Sequence, residues 1–303
     1  MSNPSKKYVI VIAGPTAVGK TGVAIELAVK FQTEIISADS RQVYREMKIG
    51  TAVPSEEELS RVKHHCIQHI SIHEEYNVGA YEQEVLSILK GIFEQQDIAI
   101  LCGGTGLYIN AVCDGLDEFP PIDLEIKTQV AAICLDKEKA LALLENLDPL
   151  YFNQVDRDNI RRVSRALEVC LQTKKAYSSF LTNNKKNRNF EIIKICLTED
   201  RTKLYDQINR RVDAMISGGL VDECHALFPF KNLKSLQTVG YSELFDYFEG
   251  KTDLSFAIDK IKQHSRNYAK RQITWFNKDD SYTFFKSSQL DEMIDFIKKR
   301  MHD

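Results

Sequence analysis

No apolar run in this 303-residue chain reaches the length of a membrane span, and its opening Met-Ser-Asn-Pro-Ser-Lys-Lys has none of the apolar character a signal peptide requires. A cytoplasmic protein without membrane attachment is expected. The seven cysteines, at 66, 102, 113, 134, 170, 196 and 224, are odd in number, scattered and never in C-x-x-C spacing. That pattern indicates neither a zinc site nor a disulfide framework, and reduced, mostly buried thiols are expected. An excess of positive charge is also missing. The formal net charge of -3 argues against a protein that coats nucleic acid with its whole surface. Charge is unevenly spread, however: Arg157 to Arg188 holds nine Lys/Arg against two acids, and Ala257 to Lys278 holds six against one. Such patches suit either a localised polyanion site or solvated helix faces.

The length suits one large α/β domain carrying an insertion, or two domains. Gly14-Pro15-Thr16-Ala17-Val18-Gly19-Lys20-Thr21 matches G-x-x-x-x-G-K-[ST] at every position. The apolar, β-branched run Tyr8–Ala13 before it reads as a strand buried on both faces, and Val23, Ala24, Leu27, Ala28 and Phe31 after it have helical spacing. In this setting, glycines let backbone N–H groups turn onto an anion at a helix N-terminus. The lysine adds a point charge, and the Thr21 hydroxyl is the usual ligand of an accompanying Mg²⁺. Kinases, NTPases and transferases that grip a diphosphate all use such a cradle.

Glu34 to Asp39 reads as a second strand with Asp39, Ser40, Arg41 and Gln42 just past its carboxyl end, where ligands sit in open parallel sheets. A general base or acceptor-binding role for Asp39 competes with a helix N-cap. Four of the seven histidines fall between Arg61 and His73, but Ile67, Ile70 and Ile72 suggest strand or loop, and no carboxylate completes a ligand set. Structural histidines are expected there. A helix over Val78–Gln95 leads to a third strand, Ile98–Cys102, which ends in Gly103-Gly104-Thr105-Gly106; the glycines allow close approach and Thr105 supplies a hydroxyl. From Gly115 to about Phe190 the pattern turns helical, closing in the polar stretch Thr182 to Asn189. Within it Ile160, Val163, Leu167 and Cys170 form an apolar stripe opposite Arg157, Arg161, Arg162 and Arg165, a row suited to phosphates or to acidic partners within the fold. The sheet resumes at Ile192–Leu197 and the remainder reads as mainly helical, with Arg266, Tyr268, Lys270 and Arg271 available for charge and stacking, and with Trp275 and Phe276 in the core. The expected fold is therefore α/β, a P-loop NTPase-like parallel sheet flanked by helices. Its core spans 1–114 and 191–303, with a helical insertion domain over 115–190.

Taken in order, these blocks resemble the tRNA dimethylallyltransferase family, also called tRNA isopentenyltransferases, in a bacterial-type form. The blocks are the loop Gly14–Thr21; Asp39-Ser-Arg-Gln-Val-Tyr44 with Ile49-Gly-Thr51; Gly103-Gly-Thr-Gly-Leu-Tyr108; and Arg161-Arg-Val-Ser-Arg-Ala-Leu-Glu168. They continue with Ile208-Asn-Arg-Arg-Val-Asp213, Gln237-Thr-Val-Gly-Tyr241 and Tyr268-Ala-Lys-Arg-Gln-Ile-Thr-Trp275. Relatives usually carry Lys where Val53 stands, Arg where Lys127 stands, and His-Pro-Asn-Asp where this chain has Val155-Asp-Arg-Asp158. The Cys/His finger of many eukaryotic relatives is absent.

The resemblance implies transfer of a dimethylallyl group from dimethylallyl diphosphate to N6 of adenine-37 in the tRNA anticodon stem-loop, by a monomer using Mg²⁺. It implies Asp39 as base, Thr105 on the bridging oxygen of the donor, and Arg211 with Lys20 on the developing charge. It further implies tRNA contacts at Asp39, Ser40, Arg41, Gln42, Thr105 and Lys127. Arg161, Arg162, Val163, Ser164 and Arg165 join them, as do Gln237, Thr238, Val239, Gly240 and Tyr241. A P-loop small-molecule kinase, or an adenylate isopentenyltransferase acting on a free nucleotide, would explain the loop and Asp39 but not the basic insertion.

Overall fold

The computed structural model describes residues 6–182 and 185–302. Residues 1–5, Asn183 and Asn184 of the polar stretch, and Asp303 lie outside the described residues. The chain forms two compact units, Met1–Cys113 with Arg188–Asp303, and Asp114–Asn187.

The first unit is built on a six-stranded sheet of β1 (Tyr8–Ala13), β2 (Ile35–Ser37), β3 (His64–His65), β4 (Ile98–Gly103), β5 (Glu191–Leu197) and β6 (Thr283–Phe285). The strand order is β3-β2-β4-β1-β5-β6 and every pairing is parallel. The helices, in chain order, are α1 (Lys20–Phe31), α2 (Glu56–Arg61), α3 (Val78–Gln95), α4 (Gly106–Asp114), α5 (Leu124–Ile133), α6 (Lys137–Leu147), α7 (Pro149–Phe152) and α8 (Ile160–Thr173). They continue with α9 (Arg201–Ser217), α10 (Leu220–Leu227), α11 (Tyr241–Phe248), α12 (Leu254–Phe276) and α13 (Leu290–His302).

Alternation along β1 divides the core. Tyr8, Ile10 and Ile12 face a cluster with Val23, Ala24 and Leu27 of α1, Leu204 and Ile208 of α9, and Met293 and Ile297 of α13. Val9, Val11 and Ala13 face Tyr81, Val85, Leu89 and Ile92 of α3 and Tyr108, Ile109 and Val112 of α4. Burial on both faces explains why β1 and β4 read as unbroken apolar runs. A third cluster packs Val43, Tyr44 and Met47, which follow β2, against α10, α11 and α12. Two of the clustered histidines pair with carboxylates: His65 Nε2 of β3 lies 2.5 Å from Glu34 Oε2 just before β2, and His69 Nε2 lies 2.9 Å from Glu84 Oε1 of α3.

The second unit is helical. Val130, Ala140, Leu144, Val163, Ala166 and Leu167 form its centre. Asp148, 1% exposed, accepts the Tyr151 amide at 3.0 Å, the Ser178 amide at 2.6 Å and the Ser178 hydroxyl at 2.9 Å. This carboxylate is therefore held by three donors, as a buried charge requires.

The part after β5 is mainly helical, as expected, with Thr283–Phe285 adding a short sixth strand against β5. One expectation and one competing alternative need correction. Trp275 is not core; it is 40% exposed, whereas its neighbour Phe276 is fully buried. Asp39 caps no helix, because the residues after it form turns.

The carboxyl ends of β2 and β4 meet with no room to spare. A Cβ on Gly103 would sit 2.2 Å from the Ala38 carbonyl oxygen, a backbone atom that cannot move aside. Gly103→Ala is therefore expected to cost roughly 2 kcal/mol or more of stability, read as a shift of the urea midpoint at constant m; an unchanged midpoint would contradict this packing.

Candidate active site

The loop after β1 turns on residues with positive φ: Gly14 (φ 144°), Ala17 (φ 66°) and Gly19 (φ 94°). Gly14 has a second constraint, since a Cβ there would lie 2.7 Å from the Leu197 carbonyl oxygen. Val18 is buried, while Thr16, Lys20 and Thr21 are half-buried and face a cavity of about 340 Å³ with Ala17 and Gly19. The Lys20 ammonium donates to the Pro15 carbonyl at 2.7 Å. The N-terminal amides of α1 and this ammonium thus converge where an anion can sit.

Asp39 and Thr105 are brought together by the two strand ends. The Thr105 amide donates to the Ala38 carbonyl at 3.1 Å, and the Thr105 hydroxyl accepts the Ser40 amide at 3.1 Å. Asp39 Oδ1 accepts the amides of Arg41 (2.8 Å) and Gln42 (3.3 Å). This turn locks the carboxylate in place, and no hydrogen bond to Oδ2 occurs among the described residues.

Two helices supply the opposite wall. From α9 come Ile208, Arg211, Val212 and Met215; from α12 come Ile261, Ser265, Tyr268 and Arg271. Together with Gly50, Thr51, Leu220 and Gln237–Gly240 they line a second cavity of about 340 Å³. Thr16, Ala17, Asp39, Arg211 and Tyr268 border both cavities. One half of the crevice is thus a cationic phosphate cradle. The other has apolar walls of Ile208, Val212, Met215, Leu220, Val239 and Ile261, and the carboxylate stands at the junction.

Burial lowers the Lys20 ammonium to about 8; the Arg211 charge acts in the same direction, while Cys102, Asp39 and Cys196 oppose it. Arg211 is likewise pushed down by burial and held up by Asp39. Two cations confined together repel until an anion joins them. Tyr268, pushed up to about 12 by burial and by Asp39 with Thr105 acting in the opposite direction, keeps its proton. For a cation the crevice offers the Thr21 hydroxyl. Among the described residues, no group of three or more His, Cys, Asp or Glu is placed to hold a metal. That donor set fits Mg²⁺, which binds through few protein ligands, waters and the oxygens of a bound phosphate.

The other expected contacts divide. Gln237, Thr238, Val239 and Gly240 line the apolar half. The Arg41 guanidinium reaches the crevice while donating to the Ser235 carbonyl at 3.0 Å. Gln42 spends its amide on the carbonyls of Thr51 and Ala52 and on the Ser37 hydroxyl, so it acts as a tie between loops. Tyr241 is corrected to a core residue: it is fully buried and its hydroxyl donates to Glu223 at 2.6 Å. In the helical unit Val163 is likewise core, while Lys127, Arg161 and Arg162 are exposed. Arg165 is half-buried, 5.3 Å from the Phe119 ring centre and 3.4 Å from Glu168. Ser164 is half-buried.

Two contributors were given no role in the reading of the sequence. Glu223 on α10 accepts the amides of Lys48, Ile49 and Gly50 at 2.7–3.0 Å as well as the Tyr241 hydroxyl, and so fixes the Ile49-Gly-Thr51 turn. The Tyr241 ring leaves no space for a Cβ on Gly50, which would meet it at 2.6 Å. Gln272 on α12 bonds both the phosphate loop and Gly104. Gln272 sits within the Tyr268–Trp275 block, whose charged and aromatic members drew the reading, and Glu223 lies outside every block.

The family model described as IPP transferase matches residues 42–279. The tRNA dimethylallyltransferase of Christiangramia forsetii is 47% identical over 97% of this chain and 99% of its own, and that of Flavobacterium johnsoniae is 47% identical over 97% and 98%. Among solved structures, the full-length tRNA isopentenylpyrophosphate transferase of Bacillus halodurans superposes with a TM-score of 0.74 at 35% identity, covering 98% of this chain and 97% of that one. A eukaryotic dimethylallyltransferase described as acting on tRNA gives a TM-score of 0.81 at 26% identity, covering 94% of this chain and 75% of that one.

A bound diphosphate raises the Lys20 pKa, so the bound state holds more protons than the free state from about pH 8 upward. Affinity for an alkyl diphosphate is therefore expected to be flat below pH 7.5 and to fall about tenfold per pH unit above 8. Calorimetry should record proton uptake in the same range, and a pH-independent affinity would contradict a depressed Lys20.

Proposed function

This chain belongs to the IPP transferase family, and we propose that it transfers a dimethylallyl group from dimethylallyl diphosphate to N6 of adenine-37 beside the anticodon of tRNA. The observation that carries this reading is the two-sided crevice, with Asp39 bordering both a cationic cradle and an apolar half and with Thr105 tied to the adjoining Ser40. The phosphate loop then grips a leaving group, and the bond that breaks is carbon–oxygen.

As that bond lengthens, negative charge grows on the bridging oxygen and the diphosphate. Lys20, Arg211 and the amides of the loop stand ready to receive it, the preorganised electrostatics that usually supplies the largest share of a rate enhancement. Mg²⁺ held by Thr21 and the diphosphate oxygens would add charge neutralisation. Thr105, with its amide bonded to Ala38 and its hydroxyl beside Tyr268, presents its hydroxyl to the bridging oxygen. Asp39 Oδ2 orients the adenine amine and takes its proton. An anticodon-loop base must leave its stack to enter, at a cost of a few kcal/mol, and contacts to the tRNA backbone offset that cost. Arg161, Arg162 and Lys127, exposed on the helical unit, are suited to those contacts, and Gln237–Gly240 and Arg41 to the base and its neighbours.

A phosphoryl-transferring kinase would use the same loop. The apolar walls beside Asp39 favour an alkyl donor, and the basic face of α8 favours a polyanionic acceptor over a free nucleotide.

Incubation with dimethylallyl diphosphate and unmodified tRNA, without any nucleoside triphosphate, should add one five-carbon group to a tRNA adenine by mass spectrometry; a strict ATP requirement or a phosphorylated product would overturn the proposal. Asp39→Ala is expected to lower turnover by about a hundredfold or more with tRNA affinity within threefold, and turnover near the parent value would remove Asp39 as base. Arg161→Ala with Arg162→Ala should weaken tRNA binding and reduce the slope of log affinity against log salt by roughly 1–2. An unchanged slope would take this pair out of the interface.

A further inference from the structure

Gln272 lies in α12, 6% exposed, with its amide shared between two turns at the carboxyl edge of the sheet. Its Oε1 accepts the Thr16 amide of the phosphate loop at 2.8 Å, and its Nε2 donates to the Gly104 carbonyl at 2.9 Å. Thr16 follows β1 and Gly104 follows β4, so a single planar group spans the cradle and the turn that carries Thr105. There is no slack in the span. A Cβ on Gly104 would sit 2.2 Å from Nε2, so only glycine admits the amide at this distance.

We propose that Gln272 is a positioning residue, whose two-ended amide sets the spacing between the phosphate loop and Thr105 so that the hydroxyl meets the bridging oxygen of the gripped diphosphate. The inference rests on the prenyl-transfer reading and deepens it. The chemistry of the span demands one acceptor and one donor on one rigid group. A carboxylate would set a second acceptor against the Gly104 carbonyl, and an alkyl chain would bond neither end. The Thr16 amide is already committed to Gln272, so losing the side chain should leave the grip on the donor largely unchanged and spoil the alignment of Thr105. Misplacement by a fraction of an ångström up to one ångström lowers rates about tenfold to a hundredfold.

The test compares the wild-type chain, Gln272→Leu and Gln272→Glu in single-turnover transfer to tRNA, together with their affinity for dimethylallyl diphosphate. Gln272→Leu should lose about tenfold to a hundredfold in rate with donor affinity within threefold. In a Thr105→Val background the same change should cost less than threefold, because the group being positioned has gone. A purely structural role would instead produce the same loss in both backgrounds. Gln272→Glu, which keeps the size of the side chain and guards against misfolding of the leucine variant, should be impaired at pH 8.5. It should recover at least fivefold relative to wild type at pH 6, where a protonated carboxyl again donates to Gly104. A wild-type chain that transfers no dimethylallyl group overturns the prenyl-transfer reading and this inference with it. An active wild type with equal losses in both Thr105 backgrounds, or a Gln272→Glu defect constant across pH, overturns the inference alone.

Discussion

The crevice depends on one close approach, that of the Ala38 carbonyl to Gly103. Parallel pairing brings β2 and β4 side by side, the Ala38 amide donates to Cys102 at 2.8 Å, and the Ala38 carbonyl accepts the Thr105 amide. A side chain on Gly103 would push the strand ends apart. Because it is absent, the carboxylate after one strand and the hydroxyl after the other share a turn, with the Ser40 amide bonded to Thr105. Relaxing that contact would separate the Asp39 carboxylate from the Thr105 hydroxyl, the proposed base and the proposed partner of the leaving oxygen, which is why a structural glycine here bears on the chemistry.

Charge is organised around the same point. Burial lowers both Lys20 and Arg211, the Arg211 charge lowers Lys20 further, and Asp39 partly compensates both. An empty cradle of this kind is electrostatically unsatisfied, and a diphosphate relieves it. In the proposed reaction that repulsion is relieved on diphosphate binding and, further, as charge accumulates on the leaving group. Neutral partners complete the arrangement: Tyr268 retains its proton, and Gln272 spans two turns without adding charge to the cradle.

Much of this was legible in the order of residues. The phosphate loop announces itself through spacing, and β1 and β4 through apolar runs that only burial on both faces explains. Asp39 and Thr105 could be assigned to one edge because each follows a strand, and open parallel sheets place ligands at that edge. Thr283–Phe285 was hidden because three residues carry no period. Trp275 and Tyr241 were misplaced in opposite directions, since an aromatic beside a motif suits core and surface equally. Only the Glu223 hydrogen bond and the Gly50 approach settle Tyr241 as core. Gln272 and Glu223 were silent for a different reason: their roles are long-range hydrogen bonds, with partners 256 and 168 positions away for Gln272 and 173 to 175 positions away for Glu223. No local pattern encodes such distances.

The central claim is that the phosphate loop holds a leaving diphosphate and transfers no phosphoryl group. It is tested most directly by the fate of the oxygen that bridges carbon and phosphorus in the donor. With that oxygen isotopically labelled and unmodified tRNA as acceptor, the account predicts that all the label is recovered in free diphosphate and none in an alcohol. Label recovered in dimethylallyl alcohol, or phosphorus attached to the tRNA, would contradict it.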